Sequence, residues 1–223
     1  MTKQSYARAF LGLHLVASII IFATMTFTLW EISEDIRDRE PLTVVDLQLS
    51  NWLHSHATRL ATDTMFAATA FGSTVLVSCI AAAFGLYFIW RRRFYWLTAL
   101  VSSVFGGMLL NKLLKYAFHR PRPLFTDPIL NLTSYSFPSG HTMAATVLFG
   151  VLAAYFFTTT EEWRRRVVII CAASFLILAV GFSRIYLGAH YLSDVLGAMA
   201  EGVAWLTLCL TVIYSLWRGS HAI

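Results

Sequence analysis

Six apolar runs, each about 20 residues long, constrain this chain more than any other feature. They cover roughly residues 10–30, 67–90, 94–114, 142–160, 167–187 and 192–217. A helix needs about 20 apolar residues to cross the hydrocarbon core of a bilayer. Charged residues make up only 13% of the chain, whereas about 25% is usual in a soluble domain. We therefore expect an all-α, polytopic membrane protein with six transmembrane helices.

A further helical pattern lies between the first two runs. Apolar residues recur at steps of three and four from Leu42 to Leu60, and polar residues such as Asp46 lie between them. This pattern predicts an amphipathic helix that is too polar to span and lies in the membrane interface on the outer side. The charged residues before it, 31–40, are expected to form a loop in water. The whole chain, 1–223, is expected to form one domain, with its functional core at about 112–200.

The distribution of lysine and arginine predicts the orientation in the membrane. Nine of the 17 lie at one set of helix ends, including the triplets Arg91–Arg93 and Arg164–Arg166. Cytoplasmic loops carry an excess of these residues, so we expect a cytoplasmic-membrane protein with both termini in the cytoplasm. Five basic residues at the outer ends run against this bias and suggest an anionic ligand: Lys112, Lys115, Arg120, Arg122 and Arg184. Because the positive charge is divided among helix ends, nucleic-acid binding is not expected.

One polar cluster lies between the fifth and sixth runs. His190 and Asp194 are four residues apart, so they share a face if the chain is already helical there. A carboxylate on one imidazole nitrogen fixes the tautomer and raises the basicity of the other nitrogen. Arg184 would add a planar fork of donors that suits a phosphate. A polar cluster that merely closes a helical bundle is the alternative interpretation.

A second cluster follows the third run. Lys115 offers a point charge and Arg122 a guanidinium fork, and neighbouring prolines stiffen the backbone. Considered alone, this segment is better explained as a basic anchor at the membrane edge.

A third cluster, Ser139-Gly140-His141, directly precedes the fourth run. The N-terminus of a helix exposes unpaired N–H groups at the positive end of its dipole, which favours an anion. Considered alone, the segment could be an ordinary helix cap. All three clusters are predicted at one membrane face, where each costs desolvation without adding apolar burial. Together they predict a phosphoryl site with one histidine to attack and another to protonate the leaving oxygen.

The spacing of these residues resembles the three-part signature of the type 2 phosphatidic acid phosphatase family. The first part is Lys115 and, after six residues, Arg122-Pro123; the second is Pro138-Ser139-Gly140-His141. The third is Ser183-Arg184, then His190 after five residues and Asp194 after three more.

The resemblance implies a lipid phosphatase that needs no metal or other cofactor. It implies that His190 is a nucleophile that forms a phosphohistidine, that Asp194 orients it, and that His141 is the general acid. It also implies phosphate-binding roles for a further set of residues: Lys115, Arg122, Ser139, Gly140 and Arg184. The sequence shows no carboxylate cluster suited to magnesium.

The substrate is expected to be a membrane lipid phosphate. We expect undecaprenyl diphosphate first, because an outward site could recycle that carrier directly and the spare basic residues of the second cluster suit a diphosphate. Phosphatidylglycerol phosphate and phosphatidic acid are the alternatives. His119 and Arg120 are expected to contact lipid head groups, with a second phosphate as the alternative. The sequence leaves open the oligomeric state, a lid role for 124–137 and the role of Glu201.

Two other classes of function compete with a phosphatase. A non-catalytic phospholipid-binding protein could lack a nucleophile or an acid, yet His190 and His141 are both present. A transporter would be expected to have broken helices or several polar groups at the membrane midplane. Glu201 alone is a thin basis for that.

Overall fold

The structure is a computed structural model that describes residues 3–38, 41–130 and 132–220. All regular secondary structure in these ranges is α-helical, and it forms eight helices. They are α1 (Lys3–Asp38), α2 (Pro41–Ser55), α3 (Arg59–Ala70), α4 (Thr74–Trp90), α5 (Phe94–Phe118), α6 (Gly140–Thr159), α7 (Trp163–Tyr186) and α8 (Leu192–Ser220). Five are long and apolar enough to cross a membrane, and α3 with α4 forms a bent pair that makes a sixth span if the two helices cross together. The predicted all-α membrane fold is confirmed, with five or six candidate spans.

Helix α6 forms the centre of the bundle. It packs against α5, α7 and α8, and Met143, Val147 and Leu148 on it are fully buried. The outer helices expose large apolar side chains instead, such as Phe105 and Phe175. This arrangement is expected for a bundle whose outer surface contacts lipid.

The second span is broken, so the prediction of one continuous helix from 67 to 90 is wrong. A bend of 40° separates α3 from α4. Ser73 stabilises the break because its hydroxyl caps α4 by accepting a hydrogen bond from the Leu76 N–H at 3.3 Å. At Gly72 a Cβ atom would lie only 2.6 Å from the carbonyl oxygen of His141. The break therefore packs against the start of α6, where one sequence cluster lies.

The predicted amphipathic helix is two helices. It ends at Ser55, and α3 begins at Arg59 after a cap by Thr58, whose hydroxyl accepts a hydrogen bond from the Ala61 N–H. A single helix as far as Leu60 is therefore wrong, because the Thr58 cap starts a new one.

Helix α2 is amphipathic in an unexpected way. Its polar Asp46 and Ser50 are buried in the protein, whereas Val44, Leu47 and Trp52 are exposed. The apolar face is thus free to lie in the membrane interface, as a helix of this type does.

The first helix is longer than the first apolar run. Residues 31–38 continue α1, so the predicted water loop is wrong there, and 39–40 lie outside the described residues. Burial of Ile32 and Ser33 explains the continuation, because α1 packs along α8.

Candidate active site

His190 and Asp194 meet at the junction of α7 and α8. His190 lies in the turn before α8, so the two residues do not share a helical face as the spacing suggested. Instead, Asp194 in the first turn of α8 reaches back, and its Oδ2 lies 3.4 Å from Nδ1 of His190. The same oxygen accepts the Tyr191 N–H at 2.9 Å, as an acidic residue does in a capping box. A helix cap thus pairs the carboxylate with the imidazole.

Both oxygens of the Asp194 carboxylate are held by further side chains. Oδ1 accepts a hydrogen bond from Nη1 of Arg120 at 2.6 Å, and Oδ2 accepts one from the Ser136 hydroxyl. Asp194 is fully buried. An ionised carboxylate fixed in this way favours the tautomer of His190 that carries its proton on Nδ1.

The imidazole of His190 is neutral at neutral pH. Burial lowers its pKa to about 3; the Asp194 carboxylate opposes this shift, and the charges of Arg122 and Lys115 add to it. With Nδ1 facing Asp194, the lone pair of Nε2 is available on the other side of the ring. Nε2 is therefore the atom that can act as a nucleophile.

Arg122 lies next to that nitrogen. Its Nη1 is 3.2 Å from Nε2 of His190 and also donates to the Ala189 carbonyl. Nε and Nη2 donate to the Ser134 carbonyl at 2.7 Å and hydroxyl at 2.9 Å. These bonds fix the fork of the guanidinium beside the place where a phosphorus atom would approach Nε2.

Two more cations come from α5 and α7. Lys115 donates from Nζ to the carbonyls of Tyr135 and Ser136 at 2.8 and 3.2 Å. Arg184 is 5% exposed and donates from Nη1 to the Thr69 hydroxyl at 2.9 Å. Its Nε is buried and has no partner among the described residues. An unsatisfied buried N–H is costly, and an oxyanion would satisfy it.

The segment Ser139–His141 begins α6. The Ser139 N–H donates to the Asp194 carbonyl at 3.0 Å, which ties this helix start to α8. At Gly140 a Cβ would lie 3.8 Å from Cε of Lys115, so α6 begins beside that cation. His141 is half-buried and lines a cavity of about 130 Å³ with Asn111 and Gly140.

The structure brings the predicted residues together at one end of the bundle. Lys115 and Arg122 act electrostatically on both His141 and His190, and Arg184 also acts on His141. The two imidazoles therefore share one cationic environment. Three predicted residues adjoin this environment. Asp194 faces Nδ1 of His190, Ser139 donates its N–H to the Asp194 carbonyl, and Gly140 lies beside Lys115.

Three buried residues at the site were not singled out as functional from the sequence: Asp46, Ser136 and Ser193. A fourth, Arg120, was expected to have a different role. The expectation that Arg120 contacts head groups is wrong, because it is only 8% exposed and is bonded to Asp194 and Asp46 at 2.6 and 2.8 Å. Its guanidinium also lies 4.4 Å from the ring centre of Tyr191. Both carboxylates are 74 positions from Arg120 along the chain, so no local pattern indicated the pairs.

Residues that the sequence left open also lie near the site. Glu201 is 1% exposed and accepts a hydrogen bond from the Asn111 amide at 2.8 Å. Asn111 also lines the cavity beside His141, so a single hydrogen bond links Glu201 to a residue of that cavity. In the segment 124–137, Phe125 stacks on His54 at 4.1 Å between ring centres and fills the space beside Gly188.

Comparison with known proteins identifies the family. The model of the PAP2 superfamily matches residues 96–218, more than half of the chain, and these include every residue of the predicted site. The chain belongs to the PAP2 superfamily. The resemblance found in the sequence signature is confirmed.

Relatives in this superfamily carry lipid phosphatase names. Phosphatidylglycerophosphatase B of Bacillus subtilis (strain 168) is 37% identical over 110 residues, which are 48% of this chain and 54% of that protein. Lipid A 1-phosphatase of Rhizobium etli is 33% identical over 155 residues, which are 65% of this chain and 59% of that protein. The chain thus spans between half and two thirds of the length of these relatives.

Two solved structures share the fold. The crystal structure of a transmembrane PAP2 type phosphatidylglycerolphosphate phosphatase from Bacillus subtilis matches with a TM-score of 0.74 and 25% identity, over 89% of this chain and 96% of that one. Aquifex aeolicus LpxE matches with a TM-score of 0.58 and 22% identity, over 77% and 95%. The chain is therefore a multi-pass membrane protein with the fold of these phosphatases.

Proposed function

We propose that this protein is a membrane lipid phosphatase in which Nε2 of His190 takes the phosphoryl group and passes it to water. One observation carries the proposal: the imidazole is buried and neutral, its Nδ1 is held by Asp194, and its Nε2 faces Arg122 at 3.2 Å. A neutral imidazole with one nitrogen fixed by a carboxylate and the other beside a cation suits attack on phosphorus.

In the first step, Nε2 forms a bond to phosphorus and the bond from phosphorus to the lipid oxygen breaks. Asp194 stabilises the positive charge that develops on the imidazole. Lys115, Arg122 and Arg184 hold the phosphoryl oxygens. His141 donates a proton to the leaving oxygen.

In the second step, water attacks the same phosphorus. His141, now without its proton, accepts a proton from the water, and the P–N bond breaks. Phosphate leaves, and His190 and His141 return to their starting protonation states. The three cations supply the charge stabilisation for which many phosphatases use metal ions, so we propose a reaction without metal.

For the substrate, we propose phosphatidylglycerol phosphate as the first candidate. A relative and a solved neighbour bear names for that activity. The expectation of undecaprenyl diphosphate depended on an outward-facing site and on spare basic residues, and one of those residues, Arg120, is already paired with two carboxylates. Undecaprenyl diphosphate, phosphatidic acid and the 1-phosphate of lipid A, named for another relative, remain candidates.

We propose that the site faces the exterior of the cytoplasmic membrane, with both termini in the cytoplasm. Helix α7 supports this orientation, since it is 24 residues long, carries Arg164–Arg166 in its first turn and ends beside the site at Tyr186. A cysteine introduced near Asp127 should therefore react with an impermeant maleimide on intact cells. Labelling only after lysis would reverse the orientation.

The activity is tested by phosphate release from the four lipids with protein purified in detergent. We expect turnover of at least one lipid, inhibition by vanadate, unchanged activity in millimolar EDTA and at least a ~10³-fold loss in His190→Ala. Folded wild-type protein that releases no phosphate from any of the four would contradict a lipid phosphatase. Loss of activity in EDTA that magnesium restores would contradict the metal-free reaction.

A further inference from the structure

Asp46 is a buried carboxylate outside all three signature segments. It lies on the interfacial helix α2 and is 1% exposed. Its Oδ1 accepts the backbone N–H of Ser193 at 2.9 Å. Its Oδ2 accepts the Ser193 hydroxyl and Nη2 of Arg120, the latter at 2.8 Å. One side chain of α2 thus receives three hydrogen bonds from groups that adjoin Asp194.

The first of these bonds replaces a missing helix cap. Helix α8 begins at Leu192, so Tyr191 occupies the position before it, where Ser, Thr, Asp or Asn normally accepts an N–H from the first turn. The tyrosine side chain is not one of the types that do this. Asp46 accepts the Ser193 N–H from another helix, and its negative charge lies at the positive end of the α8 dipole. Asp46 therefore fixes the turn that carries Asp194.

The other bonds place Asp46 opposite Asp194 across a single guanidinium. Arg120 donates Nη1 to Asp194 at 2.6 Å and Nη2 to Asp46 at 2.8 Å, and its Nη1 also donates to the Ser193 hydroxyl at 2.6 Å. Loss of the Asp46 charge leaves Nη2 of Arg120 without its carboxylate partner, and the guanidinium is then held by Asp194 and Ser193 through Nη1 alone. Without the charge of Asp46, Arg120 and Ser193 are free to shift. Arg120 contacts Asp194 directly, and Ser193 precedes it in the chain, so a shift of either residue would move Asp194.

We propose that Asp46 is a positioning residue for the reaction, acting on Asp194 and His190 through Arg120 and Ser193. The inference rests on the proposed function. If Asp46 has this role, the site is assembled only when helix α2 is docked against α8, although α2 contributes no residue to the sequence signature.

Asp46→Asn tests the proposal because it keeps the size of the side chain, removes its charge and turns an amide donor toward Arg120 or Ser193. We expect kcat to fall about 10- to 100-fold, the range for a lost hydrogen bond to a buried charged group. KM should stay within about twofold, because Asp46 does not touch the lipid. The matched control is Asp63→Asn, an exposed aspartate on α3, for which we expect wild-type kcat.

A double-mutant cycle shows whether the effect passes through Arg120. If it does, Asp46→Asn combined with Arg120→Met should be no slower than Arg120→Met alone. If the two substitutions instead reduced kcat by the product of their separate effects, Asp46 would not act through Arg120. Rates are normalised to folded protein, measured by size-exclusion chromatography and thermal unfolding in the same detergent. A purely structural role would lower the folded fraction and leave kcat per folded molecule unchanged, and that result would overturn the proposal.

Ser193→Ala provides a second test if Asp46→Asn does not fold. It removes the hydroxyl shared by Asp46 and Arg120 but keeps the backbone cap and both ion pairs. We expect kcat to fall about 3- to 10-fold with little change in KM, and an unchanged kcat would overturn the proposal. Wild-type protein inactive on every lipid would refute the proposed function instead, so the two failures are distinguishable.

Discussion

The two ring nitrogens of His190 face regions of opposite character. On the Nδ1 side, charges are paired with charges: Asp194 binds Arg120, and Arg120 binds Asp46. Nε2 faces the cationic part of the site: Nη1 of Arg122 lies 3.2 Å from it, and the other hydrogen bonds of Arg122, Lys115 and Arg184 go to carbonyl and hydroxyl oxygens.

This difference indicates a division of labour within the site. Because the charges on the Nδ1 side are fixed in ion pairs, with one guanidinium between two carboxylates, that side can hold the imidazole in one orientation. The positive charges on the Nε2 side have neutral partners, and Nε of Arg184 has none among the described residues. Positive charge that is not neutralised within the protein attracts an anion. In the proposed reaction, one side thus orients the nucleophile, and the other receives the phosphate.

Asp194→Asn is expected to have the largest effect, because it removes the charge that orients His190 on the Nδ1 side. An amide cannot stabilise the imidazolium, and it can hold the wrong tautomer, as in a catalytic triad that loses its aspartate. We expect kcat to fall about 10³- to 10⁴-fold, measured as phosphate release per folded molecule. Asp127→Asn, at an exposed position in the α5–α6 connection, is the control. A loss smaller than about tenfold would contradict the orienting role.

Arg122→Lys tests the phosphate side with the charge retained. Lysine cannot reproduce the fork that bonds Ser134 and Ala189 while facing Nε2. We expect kcat/KM to fall about 10- to 100-fold, somewhat less than for loss of a whole oxyanion donor. Arg59→Lys, at an exposed position on α3, should behave like wild type. Equal activity of Arg122→Lys and wild type would show that charge alone suffices.

Ser136→Ala gives the smallest expected effect and sharpens the comparison. The Ser136 hydroxyl donates to the same Asp194 oxygen that faces His190. Because Arg120 and the Tyr191 N–H still hold the carboxylate, we expect kcat to fall only about 3- to 10-fold. Ser55→Ala, at the exposed end of α2, controls for the loss of a hydroxyl. A fall as large as that of Asp194→Asn would mean that Ser136 itself takes part in the chemistry.

Local patterns predicted much of this molecule. Apolar run length located the membrane helices, and spacing within short segments located His141, His190 and the phosphate-side cations. These features depend on neighbours within a few residues, so one sequence is enough to find them. The break at Gly72 was missed because it depends partly on close approach to His141 in another helix.

The orienting side could be predicted only in part. The partner of His190, Asp194, is four residues away, but Asp46 is 147 residues from Ser193 and 74 from Arg120. In the sequence, Asp46 is one polar residue of an amphipathic helix, and nothing local shows that its polar face packs into the protein. Such contacts arise when α2 docks, and only the folded chain shows them.

The central claim is tested most directly by trapping the phosphorylated enzyme. Purified protein is mixed with ³²P-labelled lipid phosphate, quenched within milliseconds and digested under alkaline conditions that preserve phosphohistidine. We predict acid-labile, alkali-stable label on the peptide that contains His190, and none in Asp194→Asn at the same times. Label on another residue, or single-turnover release of phosphate with no labelled enzyme at any time, would contradict the account.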